Sequence, residues 1–131
     1  MNYIFEITDK VRDYECDLQG IVNNANYQHY FEHTRHEFLL AHGVSFAKLH
    51  DEGCDAVVAR IEIAYKFSLR PGDEYVSKLC VKKESIKYVF HQAIYRKSDM
   101  KLCAKGKIET VAVINGKLET HPTLDKLIEL I

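Results

Sequence analysis

The sequence predicts an α+β fold in which one long helix covers a long antiparallel sheet and a short helix closes the chain. Three observations carry this. Tyr27, Tyr30, Phe31, Thr34, Phe38 and Ala41 follow one another at steps of three and four, which places them on one face of a helix. From Val57 onward the apolar period changes to two and keeps that period, interrupted only by turn residues, as far as Ile114. Nowhere do strand and helix patterns alternate in the βαβ order that a parallel sheet requires.

Each element has its own signal. Tyr3, Phe5 and Ile7 alternate with Ile4, Glu6 and Thr8 as a first strand. Asn23 or Asn24 can cap the long helix, because an Asn side chain accepts from one of the N–H groups left unpaired at a helix start, and Gly43 stops it. Ser45 can cap a short helical piece that ends at Gly53. In 57–67 the odd positions are nearly all apolar and the even ones carry Arg60, Glu62 and Lys66, the pattern of a strand covered on one face. Pro71-Gly72-Asp73 is a turn, and alternating runs follow near 74–84, 86–97 and 101–114, separated by Glu84-Ser85 and Ser98-Asp99. Asn115-Gly116 marks a hairpin turn. Pro122 and Thr123 open a terminal helix with an apolar stripe of Leu124, Leu127, Ile128 and Ile131. One helix serving so long a sheet leaves apolar area at its edge, so association through the sheet is expected.

Composition narrows the function classes. The 131 residues suit a single domain, 1–131, with a core that needs no staples. A formal charge of −1 gives no general reason for nucleic-acid binding, and no apolar run approaches the ~18 residues of a membrane span. The opening Met1-Asn2-Tyr3-Ile4-Phe5-Glu6 lacks the regions of a signal peptide, which makes a cytoplasmic location the expectation. Cys16, Cys54, Cys80 and Cys103 show no C-x-x-C pair and no zinc spacing, so no metal is expected and the four are read as thiols.

The segment 14–27 carries the chemistry. Asp17 sits in a turn-like stretch with Gly20, seven residues before the helix start, so a carboxylate and unpaired backbone N–H donors can face one small volume. Gly20 lets the chain turn tightly and a ligand approach the backbone. Taken alone, a loop Asp before a helix is more often a cap or a solvated acid.

The wider pattern resembles a known family. Cys16-Asp17-Leu18-Gln19-Gly20-Ile21-Val22, then Asn26-Tyr27, Tyr30-Phe31-Glu32 and Arg35, with Ile61-Glu62-Ile63 and Pro71-Gly72-Asp73 downstream, resembles the hotdog-fold acyl-CoA thioesterases of the 4-hydroxybenzoyl-CoA thioesterase type. The resemblance implies a sheet wrapped around a central helix, a homodimer or homotetramer, and active sites between subunits. It implies Asp17 as the catalytic carboxylate and Asn24 as the residue whose backbone N–H polarises the thioester carbonyl. Many relatives carry an aromatic residue and a His, Tyr or Pro where this chain has Asn23-Asn24. A backbone donor survives that exchange.

On this reading the substrate is an acyl-CoA or acyl-carrier-protein thioester, hydrolysed without a cofactor because coenzyme A belongs to the substrate. Asp17 would act as nucleophile or as general base on water. Lys82, Lys83 and Lys87 form a small basic cluster that could meet coenzyme A phosphates, with a solvated rim as the competing reading. Tyr65, Phe67, Tyr88 and Phe90 are core or acyl-pocket lining, Cys16 is a structural thiol, and His29, His33 and His36 form a solvated or contact face. Glu32 and Arg35 are spaced for an intrahelical ion pair. A non-hydrolytic acyl-CoA-binding protein is the reading from another class.

Overall fold

The computed structural model describes all 131 residues. Strand β1 (Phe5–Lys10) leads through a single 3-10 turn (Asp13–Glu15) and a loop to the long helix α1 (Asn24–Ala41), and a short α2 (Phe46–Asp51) follows. Then come β2 (Cys54–Tyr65), β3 (Glu74–Glu84), β4 (Lys87–Arg96), β5 (Lys101–Ile114), a three-residue β6 (Lys117–Glu119) and α3 (Pro122–Leu130). The strands form one antiparallel sheet in the order β1-β3-β4-β5-β2, with β6 added beside β5. This is the hotdog arrangement that the sequence resemblance implies.

Local chemistry explains the ends of the elements. Asn23 caps α1, its side chain accepting from the Ala25 N–H at 3.0 Å. Ser45 caps α2 through the Lys48 N–H, and His121 caps α3 ahead of Pro122 at its first turn. Asn115 and Gly116 both have positive φ, as the turn into β6 requires.

The apolar face of α1 lies on the sheet. Tyr27, Tyr30, Phe31, Thr34 and Phe38 are buried, and α1 packs against β1 and β3. Phe31 settles over Gly106 of β5, where a Cβ would lie 2.9 Å from the ring, so this position must be glycine for the helix to seat as it does. Two buried hydroxyls, Thr34 of α1 and Ser77 of β3, meet at 2.6 Å.

Two expectations are corrected here. Arg35 does not pair with Glu32: it is 6% exposed and donates to Gln92 Oε1 on β4 at 3.0 Å, while Gln92 in turn donates to the Phe31 carbonyl. It sits on the buried side of α1, which the i,i+3 spacing alone could not indicate. The strand β2 is not covered on one face within the chain. Val57, Val58 and Ile61 are 45%, 40% and 36% exposed, because β2 is the last strand of the sheet and α1 packs over the other side. No helix is long and apolar enough to cross a membrane.

Candidate active site

The loop before α1 is folded against the helix start by Glu15. Its carboxylate accepts from the Arg12 N–H at 2.7 Å and from the Tyr30 hydroxyl at 2.9 Å, and its carbonyl accepts from the Asn26 side chain at 2.7 Å and the Asn23 N–H at 3.0 Å. Burial first, and then the Glu15 hydrogen bond, push the Tyr30 hydroxyl far above its ordinary range, so it stays a donor. Beyond Glu15 a bridge between Cys16 and Val22 closes a tight loop, and Gly20 turns it with a φ of +74°.

Asp17 is at the base of this loop, half-buried. Its N–H donates to the Ile21 carbonyl, its carbonyl accepts from Gly20, and one carboxylate oxygen accepts from the Gln19 N–H at 2.8 Å. The other oxygen has no partner within the chain. At the helix start Ala25 donates to the Asn23 side chain and Asn26 to the Asn23 carbonyl, whereas the Asn24 N–H makes no hydrogen bond within the chain. The sequence expectation located the acid and this donor in one place, and the structure brings Asp17 and Asn24 together on the wall of one cavity of about 370 Å³.

The opposite wall comes from the end of β2 and the residues after it: Tyr65, Lys66, Phe67 and Ser68. The Tyr65 hydroxyl donates to the Asn24 carbonyl at 3.2 Å, and its ring meets Tyr27 edge-on at 5.5 Å. Tyr27 fixes this wall from below by accepting the Leu69 N–H at 3.1 Å. Of the four aromatic residues left open by sequence, Tyr65 and Phe67 are 46% and 49% exposed and line this cavity, whereas Tyr88 and Phe90 are buried and border a different one, between α1, α2 and α3. Lys66 and Gln19 also border the cavity and carry no local sequence signal. Chemically, the site offers a free carboxylate oxygen and an unpaired N–H at the positive end of a helix, an arrangement suited to attack on a carbonyl whose oxygen becomes anionic.

The lysines of the β3–β4 turn lie elsewhere. Lys87 is opposite Val111 of β5 and Tyr65 is opposite Ala104, so seven residues of strand, about 23 Å at ~3.3 Å each, separate the two levels. Lys87 pairs with Glu109 at 2.7 Å and Lys83 with Asp125 at 2.7 Å, leaving Lys82 without an ion-pair partner. His29, His33 and His36 form no cluster of ligands, and His36 stacks on Phe46 with ring centroids 4.4 Å apart. Cys16 is half-buried and its thiol is pushed up by burial, away from the thiolate that a nucleophile needs.

Residues 11–129 match the model of the Thioesterase-like superfamily. A putative esterase from Aquifex aeolicus is 33% identical over 114 residues, covering 86% of this chain and 88% of that protein. A chloroplastic acyl-acyl carrier protein thioesterase from Arabidopsis thaliana, ATL3, is 38% identical over 78 residues, 60% of this chain; the match spans 41% of that protein's length. In fold, the chain is similar to a 1,4-dihydroxy-2-naphthoyl-CoA thioesterase from Synechocystis, with a TM-score of 0.90 at 16% identity over 95% of this chain and 94% of that one.

Proposed function

The chain belongs to the Thioesterase-like superfamily, and from that premise we propose that it hydrolyses an acyl thioester to the free acid and the thiol, using Asp17 and the Asn24 backbone N–H. The observation that carries this reading is the presence, on one cavity wall, of a carboxylate oxygen without a partner and the unpaired Asn24 amide of the first helical turn. The thioester carbonyl oxygen accepts from Asn24 as it becomes anionic. Asp17 takes the proton of an attacking water, or attacks the carbonyl itself and is freed by water in a second step. The thiolate leaves readily enough that a strong general acid is not required.

Two carriers fit, and each has its own support. A small or medium acyl-CoA, aromatic acyl groups included, suits the basic cluster Lys82, Lys83 and Lys87, which would have to come from a second copy because of its distance along the sheet. An antiparallel pairing of β2 with the β2 of a partner lays the start of each strand beside the end of the other, which places the partner's lysine end near this chain's Asp17 end. The exposed Val57, Val58 and Ile61 favour such a homodimer. An acyl-carrier-protein thioester is favoured by the carboxylate partners that already occupy Lys83 and Lys87, and by the Arabidopsis relatives of that activity at 38% and 36% identity.

Matched acyl-CoA and acyl-carrier-protein panels with thiol detection test the proposal. The expected result is thiol release by the native chain and a loss of at least ~100-fold in kcat for Asp17→Asn with the fold retained. Release by Asp17→Asn at the native rate would remove Asp17 from the mechanism. No release from either panel would favour a binding protein.

A further inference from the structure

The face of the sheet turned away from α1 carries a concentration of positive charge that the Asp17 chemistry does not use. Its position follows from register. His91 of β4 is directly opposite Lys107 of β5 and Cys80 of β3, so these three share a face, and the period of two adds Lys105 and Lys82 to it. Gly106 and Gln92, between them, point the other way, toward Phe31 of α1. Beneath the charged side chains the face is built of small buried residues, Ala93, Val89 and Cys80.

Lys82, Lys105 and Lys107 make no ion pair within the chain. Glu62 is opposite Lys107 but is held by Arg60, and Glu109 is held by Lys87 at 2.7 Å. Burial, and then the charges of Lys82, Lys107 and Lys105, lower the His91 pKa, so at pH 7 its ring is neutral and offers hydrogen bonds rather than charge. Three uncompensated ammonium groups thus stand together in a chain whose formal charge is −1. The positive charge continues toward the Asp17 cavity. Lys105 is opposite Ala64, one residue from Tyr65 on the cavity wall; Lys66 lines the cavity itself, and the Lys101 ammonium lies 4.5 Å over the Phe67 ring.

We propose that this face docks an acidic helix of an acyl carrier protein, whose phosphopantetheine arm delivers the thioester to Asp17 of the same chain. The inference rests on the thioesterase reading above and chooses between its two carriers. Size argues for a helix. From β5 to β3 the patch is two strand spacings wide, about 10 Å, and from the level of Lys105 to that of Lys82 it is four residues long, about 13 Å. That is the width of one α-helix and about two turns of its length. Lys105 and Lys107 are about 7 Å apart along the strand, close to the ~6 Å between carboxylates at i and i+4 on a helix. A nucleotide would engage only one or two of these lysines, and two copies of the face related by a twofold axis would set lysine against lysine. Reach is sufficient. The Lys105 backbone is one strand across and one residue along from Tyr65, about 6 Å, whereas the arm is about as long as five extended residues, ~17 Å.

Surface plasmon resonance of the native chain over immobilised holo-acyl carrier protein tests docking without an acyl group or turnover. The expected result is micromolar binding that weakens at least tenfold between about 0.05 M and about 0.5 M NaCl. The double variant Lys105→Glu/Lys107→Glu should lose at least tenfold in affinity, and a carrier with two helix carboxylates changed to lysine should restore it. With matched substrates, the double variant should raise KM for the acyl carrier protein at least tenfold and leave KM for acyl-CoA unchanged. Asp17→Asn should bind the carrier as the native chain does. Equal binding by native chain and double variant, no binding at about 0.1 mM carrier, tighter binding to phosphatidylserine vesicles than to carrier, or an altered protomer number in the double variant would each overturn the proposal. A chain that hydrolyses acyl-CoA yet ignores the carrier would sink the proposal and leave the thioesterase reading standing.

Discussion

The Thr34 and Ser77 hydroxyls permit a quantitative test of how α1 is fixed to the sheet. Each is fully buried and each has one proton. Thr34 donates to the Tyr30 carbonyl at 2.8 Å, so at the 2.6 Å contact Ser77 must be the donor and Thr34 the acceptor. Thr34→Val therefore leaves the Ser77 hydroxyl buried with no acceptor, a loss of about 2 kcal/mol, whereas Ser77→Ala leaves Thr34 satisfied and loses about 1 kcal/mol. The double variant contains no orphaned hydroxyl. It should be destabilised by about 1–1.5 kcal/mol, clearly less than the ~3 kcal/mol sum, a coupling of roughly 1.5 kcal/mol. Urea unfolding at one protomer concentration measures all four proteins, and in a domain of this size each kcal/mol corresponds to about 3–5 °C in Tm. Additivity within ~0.4 kcal/mol would refute the assignment of donor and acceptor.

Gly106→Ala should lower stability by about 1–3 kcal/mol, since the new methyl group lies 2.9 Å from Phe31, and Phe31→Leu in the same chain should recover part of the loss; an unchanged urea midpoint for Gly106→Ala would show that α1 is free to shift. Asp99 titrates at about 2 rather than 3.8, held down chiefly by its hydrogen bond from Arg96, so it contributes stability that is present above pH ~4 and disappears as pH falls toward 2. Urea midpoints of the native chain and Asp99→Asn should thus differ at pH 6 and converge by pH 2; a gap that does not change with pH would exclude this linkage.

Sequence reading succeeded where the cause is local. The strands at 74–84 and 101–114 were legible to the residue, because alternation and turn chemistry are properties of neighbouring positions. That Asp17 and Asn24 share one cavity wall was legible for the same reason: seven residues link the acid to the helix start. Arg35 was not, since its partner Gln92 is 57 positions away and nothing near residue 35 announces it. Lys83 and Lys87 were read as free charges because Asp125 and Glu109 reach them only through the fold. Alternation in β2 identified a strand correctly but could not say what covers it, and β6, at three residues, is too short to show a period.

Glu15 joins the acid-bearing loop to the first turn of α1 through both its carboxylate and its carbonyl. The Asp17 carboxylate and the Asn24 amide therefore ride on one rigid piece, while the facing wall, Tyr65 to Ser68, hangs from a different strand. On the proposed function, chemistry and selectivity are thereby carried by separate parts of the framework. Substitutions at 66–68 can reshape what enters the cavity without altering the spacing between acid and donor, so the proposed catalytic unit would be fitted to new acyl groups by a few changes at the end of β2.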